Sequence, residues 1–243
     1  MLQGANIFIT GCSRGLGLEM VRQLVASHNT GIIVATCRAP DLASELTSLA
    51  ADHNKVHLMA LDVNNCETFP EVSETVNQLT GERGLNILIN NAGVSPKATR
   101  INMVTEHQMM DTFKTNVVAP VLLAKSLIPN LKQGVSHSNS SSLIVNMSSI
   151  LGSIAENDKG ALYPYRSSKA GLNAVTKSLS LDLSAANILS LAVHPGWVQT
   201  DMGGKHAPLT PSQSVQGVLQ VIDRAESGHS GGFYDNLGKQ LLW

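Results

Sequence analysis

The sequence predicts a doubly wound α/β fold: a single domain over residues 1–243 with a mostly parallel sheet of about seven strands. Three observations predict it. Short apolar runs alternate with segments of helical period along the chain, the pattern of βαβ units. The runs are apolar at nearly every position instead of every second one, as strands are when helices cover both faces of a sheet. A glycine-rich turn joins the first run to the first helical segment, the arrangement of a Rossmann-type domain.

Taken in order, Ala5–Thr10 (ANIFIT) reads as the first strand and LGLEMVRQLV as the amphipathic start of the first helix. Ile32–Thr36 is a second strand. Over Pro40–Ala51 a helix places Leu42, Leu46, Leu49 and Ala50 on one side. Val56–Leu61 is a strand, Phe69–Leu79 a helix, and Leu85–Ile89 a strand ending in Asn90-Asn91-Ala92-Gly93. A longer helix is predicted over Glu106–Leu131, and Pro120 inside it, lacking an N–H, predicts a kink or local break. Leu143–Met147, Tyr165–Leu183, Ile188–Val193 and Pro211–Ala225 read as strand, helix, strand and helix, with a short strand near Gly232–Tyr234. Gln133–Ser142 (QGVSHSNSSS) is polar and Ser-rich and reads as an exposed loop. No repeat and no inter-domain linker is visible.

Composition excludes several function classes. Lys plus Arg number 17 against 18 Asp plus Glu, so there is no electrostatic footprint for nucleic acid or an anionic membrane. Hydrophobic residues make up 43% and charged residues 14%, where soluble proteins average about a quarter charged. So low a charge fraction suits a chain that covers part of its surface with a second subunit. The opening MLQGANIFIT has no basic leader, and no apolar stretch is long enough to span a bilayer. The expected location is the cytoplasm. Cys12, Cys37 and Cys66 are odd in number and form no CxxC, so free thiols are expected. The eight histidines form neither HExxH nor a Cys/His cluster at ligand spacing, so no metal is expected. His194, just before Pro195, reads as structural, and Met109-Met110 as core or interface packing. The apolar Leu241-Leu242-Trp243 is expected to dock on its own domain or on a partner subunit.

The glycine turn is Thr10-Gly11-Cys12-Ser13-Arg14-Gly15-Leu16-Gly17. Glycines let the backbone turn tightly and approach a pyrophosphate, and the helix that follows presents free N–H groups and the positive end of its dipole. The spacing is GxxxGxG, not the commoner GxGxxG, and an ordinary strand-to-helix turn is the competing reading. Cofactor choice is read at the end of the second strand, where NAD enzymes place an acid for the ribose hydroxyls. Here the chain runs Ala35-Thr36-Cys37-Arg38 with no acid. Arg38, with Arg14 approaching from the other side, suits a 2′-phosphate, against the plainer reading that both are solvated. The expected cofactor is NADP(H).

Tyr165 and Lys169 form a YxxxK pair, four residues apart on one helical face. A lysine there is expected to lower the pKa of a phenol that is otherwise a poor proton shuttle at neutral pH. YxxxK alone also occurs by chance, and Tyr163 lacks the partner lysine. Ser148 and Ser149 follow the fifth strand, at the strand ends where such folds bind ligands. A hydroxyl there can hold a substrate oxygen, but for Ser148 a turn-forming role is preferred.

With these residues in view, the chain resembles the short-chain dehydrogenase/reductase family over nearly its full length. The motifs fall in family order: TGCSRGLG at Thr10, DV at Asp62, NNAG at Asn90, Asn116, SS at Ser148, YRSSK at Tyr165 and PGWVQTDMGG at Pro195. NMSSILGSI, YRSSK and HPGWVQTDMGG carry a narrower likeness to the sniffer-type carbonyl reductases. The resemblance implies that Tyr165 donates a proton to the carbonyl oxygen and that Lys169 lowers its pKa and binds the nicotinamide ribose. It implies that Ser149 holds the substrate oxygen and that Asn116 anchors a water in a proton relay to Lys169. The cofactor would meet Gly11, Ser13, Arg14, Gly15, Leu16 and Gly17 at its pyrophosphate, and Asp62 and Val63 at its adenine. Asn90, with Ala92 and Gly93, would meet the adenosine ribose region. Pro195, Gly196, Val198 and Thr200 would hold the nicotinamide carboxamide. Ile150, Leu151 and Trp197 would wall the substrate pocket.

The reaction implied is hydride transfer from NADPH to an aldehyde, ketone or quinone. The alternatives are an NADP-dependent alcohol dehydrogenase for steroid- or retinoid-like hydroxyls, and a non-catalytic NADP(H)-sensing protein, which has no need of Asn116, Ser149, Tyr165 and Lys169 together. Relatives are dimers, tetramers or monomers, and a homodimer is expected here. In one respect the chain departs from the family: Ser149 and Tyr165 stand further apart than usual, with AENDKGALYP between them. A longer loop beside the pocket is expected.

Overall fold

The computed structural model describes residues 1–27, 29–96 and 100–243. Its seven strands are β1 (Ile7–Ile9), β2 (Ile33–Cys37), β3 (Val56–Ala60), β4 (Ile87–Asn90), β5 (Ser142–Met147), β6 (Ile188–His194) and β7 (Phe233–Asp235). They form one parallel sheet in the order β3-β2-β1-β4-β5-β6-β7. The order reverses between β1 and β4, and parallel doubly wound sheets bind ligands at that switch point, beyond the carboxyl ends of the strands.

The pleat sorts the apolar runs onto two faces. Ile7, Ile9, Ile33, Ala35, Leu143 and Val145 join one core, with Met20, Val21 and Leu24 of α1 (Gly15–Ser27) and Val215, Val218 and Ile222 of α7 (Pro211–Asp223). Leu46 of α2 (Ser44–Asp52) flanks the same core. Phe8, Val34, Leu88 and Ile144 join the other, with Val72 and Val76 of α3 (Phe69–Thr80) and Leu123, Leu127 and Leu131 of α5 (Ala119–Ser138). Each such fully buried side chain contributes roughly 1.5–3 kcal/mol over leaving it in water. α7 is fixed at its start by a capping box between Thr210 and Gln213, with Pro211 as its first residue.

The long helix predicted over Glu106–Leu131 is broken, as Pro120 suggested, but the break lies ahead of it. α4 (Glu106–Phe113) runs into a π-helical turn at Lys114–Val118, and α5 begins at Ala119 with Pro120 in its first turn. A proline there loses no helical hydrogen bond. The exposed loop predicted at Gln133–Ser142 is a correction: α5 continues to Ser138, and Ser142 already belongs to β5. The serines that suggested a loop bond the helix itself, Ser136 Oγ to Lys132 O (3.1 Å) and Ser138 Oγ to Gly134 O (2.7 Å). Gly134 and Leu131 are buried beneath them. α5 ends at Asn139, left-handed at φ 51°.

The apolar tail docks on its own chain. The Trp243 ring stacks on Phe233 at 5.6 Å, and Leu241 N donates to Phe233 O (2.7 Å). Cys12 and Cys37 are buried free thiols and Cys66 is partly buried. Among the described residues no helix is long and apolar enough to cross a membrane.

Candidate active site

The loops that leave the strands at their carboxyl ends enclose one cleft of about 1140 Å³. Its floor is the glycine turn. Gly11 and Gly15 have φ of 73° and 59°, and both line the cleft with Ser13, Arg14 and Leu16. A Cβ on Gly11 would lie 3.0 Å from the Cα of Ala92, so this glycine lets the turn lie against the loop after β4. Gly17, expected to face a ligand, packs inward instead. A Cβ on it would sit 2.2 Å from Gly11 O and 2.7 Å from Asn91 Nδ2, so it closes the first turn of α1 onto the strand end.

At the far end of the cleft, Arg38 follows β2, is exposed, and has no ion-pair partner among the described residues. Asp62 and Val63 line the same end. Arg14, expected to approach from the other side, pairs with Asp201 (Nε–Oδ2 2.9 Å) across the cleft. Both side chains are largely exposed, where such a pair contributes little.

The loop after β4 contributes Ala92 and Gly93 to the cleft, as expected, but not Asn90. Asn90 is the last residue of β4, and its amide donates to Asn146 Oδ1 (2.8 Å), its cross-strand partner. Asn146 Nδ2 passes the chain of bonds on to Thr176 Oγ1 (2.9 Å). Asn90 therefore ties the sheet to α6 (Tyr163–Asp182), and its neighbour Asn91, passed over in the sequence, is the cleft residue.

Ser149, Tyr165 and Lys169 meet on the wall facing the glycine turn. Ser149 ends the β5 strand loop and caps a short 3-10 turn, its Oγ accepting from Leu151 N (3.2 Å). Ser148, read as structural, donates to Asn173 Oδ1 (2.6 Å) and is buried. Tyr165 and Lys169 lie one helical turn apart on α6, with Lys169 Nζ 5.7 Å from the Tyr165 ring centre. Nζ donates to Met147 O (2.7 Å), and burial lowers its pKa from 10.5 to about 8. The lowering expected from Lys169 on the Tyr165 pKa is opposed here by burial. Burial raises the phenol above its ordinary 10.0, and the opposing influence is the hydrogen bond with Ser149. Tyr165 thus rests as an acid holding its proton, beside a cation able to stabilise phenolate as it forms.

Asn116 is fully buried in the π-helical turn. Its Oδ1 accepts from Val94 N (2.9 Å), and its Nδ2 donates to Val94 O (2.9 Å) and Ser168 Oγ (3.0 Å). Both amide donors are spent, so the side chain locks the β4 loop to α6 next to Lys169. A Cβ on Gly93 would come within 3.3 Å of Asn116 Oδ1 and 3.6 Å of Lys169 Nζ, so the three sit together.

Pro195, Gly196, Val198 and Thr200 line the cleft after β6, as do Ile150, Leu151 and Trp197 at the outer end. Trp197 is held over this end by its indole N–H, which donates to Gly203 O (2.7 Å). The sequence reading missed Val94, Ser95, Leu162, Met202 and His194. Only their position after strand ends, or before the Tyr165 helix, could have flagged them. His194, read as structural, is mostly buried; burial lowers its pKa from 6.5 to about 4, partly offset by Asp235, and its Nδ1 has no hydrogen-bond partner among the described residues.

A family model described as short chain dehydrogenase matches residues 5–208. Among solved structures, the carbonyl reductase Sniffer of D. melanogaster superposes with a TM-score of 0.96 at 41% identity, over 98% of this chain and 99% of that one. The NADPH-bound carbonyl reductase from chicken fatty liver gives 0.93 at 35% identity, covering 100% of both chains. The C-signal of Myxococcus xanthus is 40% identical over 159 residues, 65% of this chain and 93% of that protein.

Proposed function

The chain belongs to the short-chain dehydrogenase family, and from that premise we propose that residues 1–243 act as one domain, an NADPH-dependent carbonyl reductase with Tyr165 as its acid. The observation that carries this reading is the meeting of Ser149, Tyr165 and Lys169 on one wall of a cleft floored by the glycine turn. Both solved structures named above are carbonyl reductases, one of them NADPH-bound.

The residues present fit NADPH. Gly11 and Gly15 keep side chains out of the way of a pyrophosphate at the α1 N-terminus. Arg38, without an ion-pair partner among the described residues, stands where an NAD enzyme would carry an acid, so it is matched to a 2′-phosphate. Asp62 and Val63 flank the adenine end, and Ala92 and Gly93 the ribose region. The loop of Pro195, Gly196, Val198 and Thr200 bounds the nicotinamide end. When bound, NADPH supplies the hydride to the carbonyl carbon.

The chain's own part is to orient and protonate. Ser149 and Tyr165 together hold the substrate oxygen, Ser149 by its hydroxyl and Tyr165 by the O–H it then donates. Resting protonation, favoured by burial, leaves Tyr165 holding the proton that it donates in the reductive direction. Lys169 stabilises the phenolate that remains, and its ammonium, charged below about pH 8, would also bind the nicotinamide ribose of a bound cofactor. Asn116 positions this pair through Ser168 and Val94, leaving any water of a proton relay to its main chain. Ile150, Leu151 and Trp197 bound the substrate from outside.

The test is NADPH consumption with phenanthrenequinone. Wild type turns over, and Tyr165→Phe loses about 10²–10⁴-fold in kcat while NADPH binding is unchanged. Comparable turnover in Tyr165→Phe would end the reading. We place the protein in the cytoplasm as a homodimer. The charged fraction of 14%, and the exposed Met110, Val118 and Leu181 along α4 to α6, support a face covered by a second copy, and a monomeric sedimentation mass would remove that part.

A further inference from the structure

Between Ser149 and the helix of Tyr165 the chain makes an exposed detour. Just before α6 three consecutive residues turn left-handed: Gly160 (φ 62°), Ala161 (φ 57°) and Leu162 (φ 51°). Glycine accepts this conformation readily, but alanine and leucine do not, because Cβ crowds the neighbouring carbonyl oxygen. Such a corner persists only where its surroundings hold it.

The side chain that holds it is Arg166. Its Nε donates to Gly160 O (2.9 Å) and its Nη1 reaches Leu151 O (3.4 Å). The guanidinium therefore bridges two segments that bound the same opening, since Leu151 and Leu162 both line the outer end of the cleft while Arg166 does not. No carboxylate pairs with it among the described residues. The Arg166 main-chain N–H also donates to Leu162 O (2.8 Å), so α6 holds the Leu162 end of the corner and the guanidinium holds its Gly160 end; the remaining ties of the detour act elsewhere. Asn157 Oδ1 accepts from Gly160 N (3.0 Å) and Ser153 Oγ from Glu156 N (3.2 Å), folding the loop on itself, and Ala155 N donates to Trp243 O (3.0 Å) at its base.

We propose that Arg166 is a positioning residue that sets the width of the substrate mouth, and that Leu162 is the specificity-determining wall it holds in place. This rests on the carbonyl reductase reading above. Losing the Arg166 guanidinium frees the Gly160 end of the corner from Leu151 and lets the Leu162 side chain shift on its helix-held backbone, while Lys169 keeps its own bond to Met147 O and the reacting groups stay in place. A rigid, bulky carbonyl needs both walls and loses affinity. A small aldehyde touches neither. Lysine does not replace the arginine, because its one nitrogen cannot occupy both the Nε and the Nη1 position from which the rigid guanidinium reaches the two carbonyls.

Steady-state kinetics on wild type, Arg166→Met, Arg166→Lys and Leu162→Ala test this with phenanthrenequinone and propanal, alongside quinone titrations read by Trp197 fluorescence. Expected in all three variants is a KM and Kd for the quinone raised about tenfold, with its kcat little changed. In Arg166→Met, propanal kinetics and the KM for NADPH stay at wild-type values. Equal loss of kcat on both substrates at unchanged quinone Kd overturns the assignment, as does full rescue by Arg166→Lys. Should Arg166→Met not fold, Leu162→Ala and Arg166→Lys still decide. A wild type that turns over neither carbonyl ends the reductase reading, and the binding titration still judges Arg166 and Leu162.

Discussion

At the scale of single residues, two opposing effects share the Tyr165 wall. Burial favours the neutral form of every group there, so it holds the phenol protonated and brings Lys169 down to about 8. The attraction between Lys169 and a tyrosinate exists only once the proton has left. It therefore acts on the transition state more than on the resting enzyme, which is where stabilisation accelerates a reaction. Arg38 is the other residue whose environment decides its use. It stands exposed at the β2 end with no ion-pair partner among the described residues, so an anion brought there meets an unneutralised cation. Arg38→Asp is expected to move the kcat/KM preference from NADPH towards NADH by roughly 10- to 100-fold. It removes a charge-assisted contact of about 1.5–3 kcal/mol and supplies the carboxylate that ribose hydroxyls favour. Paired kinetics with the two cofactors check it, and an unchanged ratio sinks this account of the strand end.

At the scale of elements, the glycine turn and α1 act as one piece because Gly17 lets the helix begin against the strand end. Gly17→Ala puts a methyl 2.2 Å from Gly11 O, a backbone atom that cannot swing aside. The expected result is a loss of about 1–3 kcal/mol in stability and at least about tenfold in NADPH affinity. Gly228→Ala, where nothing lies within 4 Å, serves as the control with an unchanged melting point. A Gly17→Ala protein that melts and binds like wild type would show that the turn can relax. The element pattern itself was legible because buried parallel strands are apolar throughout and helices keep their 3.6-residue period. It failed at the end of α5, where Ser136 and Ser138 look like loop residues by composition. In place, their hydroxyls bond carbonyls one turn back, and the helical signal survives only in Leu131, Gly134 and Val135. Asn90 failed for a related reason. A motif residue at a strand end can face either the cleft or the neighbouring strand, and the pairing with Asn146 that decides it is long-range.

At the scale of the whole molecule, charge is nearly balanced at a formal net of −1, so pH acts through individual buried groups more than through a global field. The Ser149, Tyr165 and Lys169 set was legible because its motifs are local in sequence. His194 was not legible as a cleft residue, since its setting is built by β6 and β7 pairing His194 with Asp235 and by the cleft beside them. Burial holds it neutral, with a pKa of about 4 against 6.5 when unfolded, although Asp235 pulls the other way. The unfolded chain therefore binds the extra proton between pH 6.5 and 4, and the folded chain does not. Stability from this group rises with pH across that window and is lost as pH falls through it, by roughly 3 kcal/mol in all. For a chain of this length that corresponds to a melting point lower by about 6–12 °C. Carboxylates titrate in the same range, so the informative quantity is a difference. His194→Asn removes the titrating ring, and its melting point should fall less than that of wild type between pH 6.5 and 4, by about that amount. Parallel melting curves for the two proteins would mean that His194 takes up its proton in the folded state without cost, and that the cleft end of β6 is wetter than its burial implies.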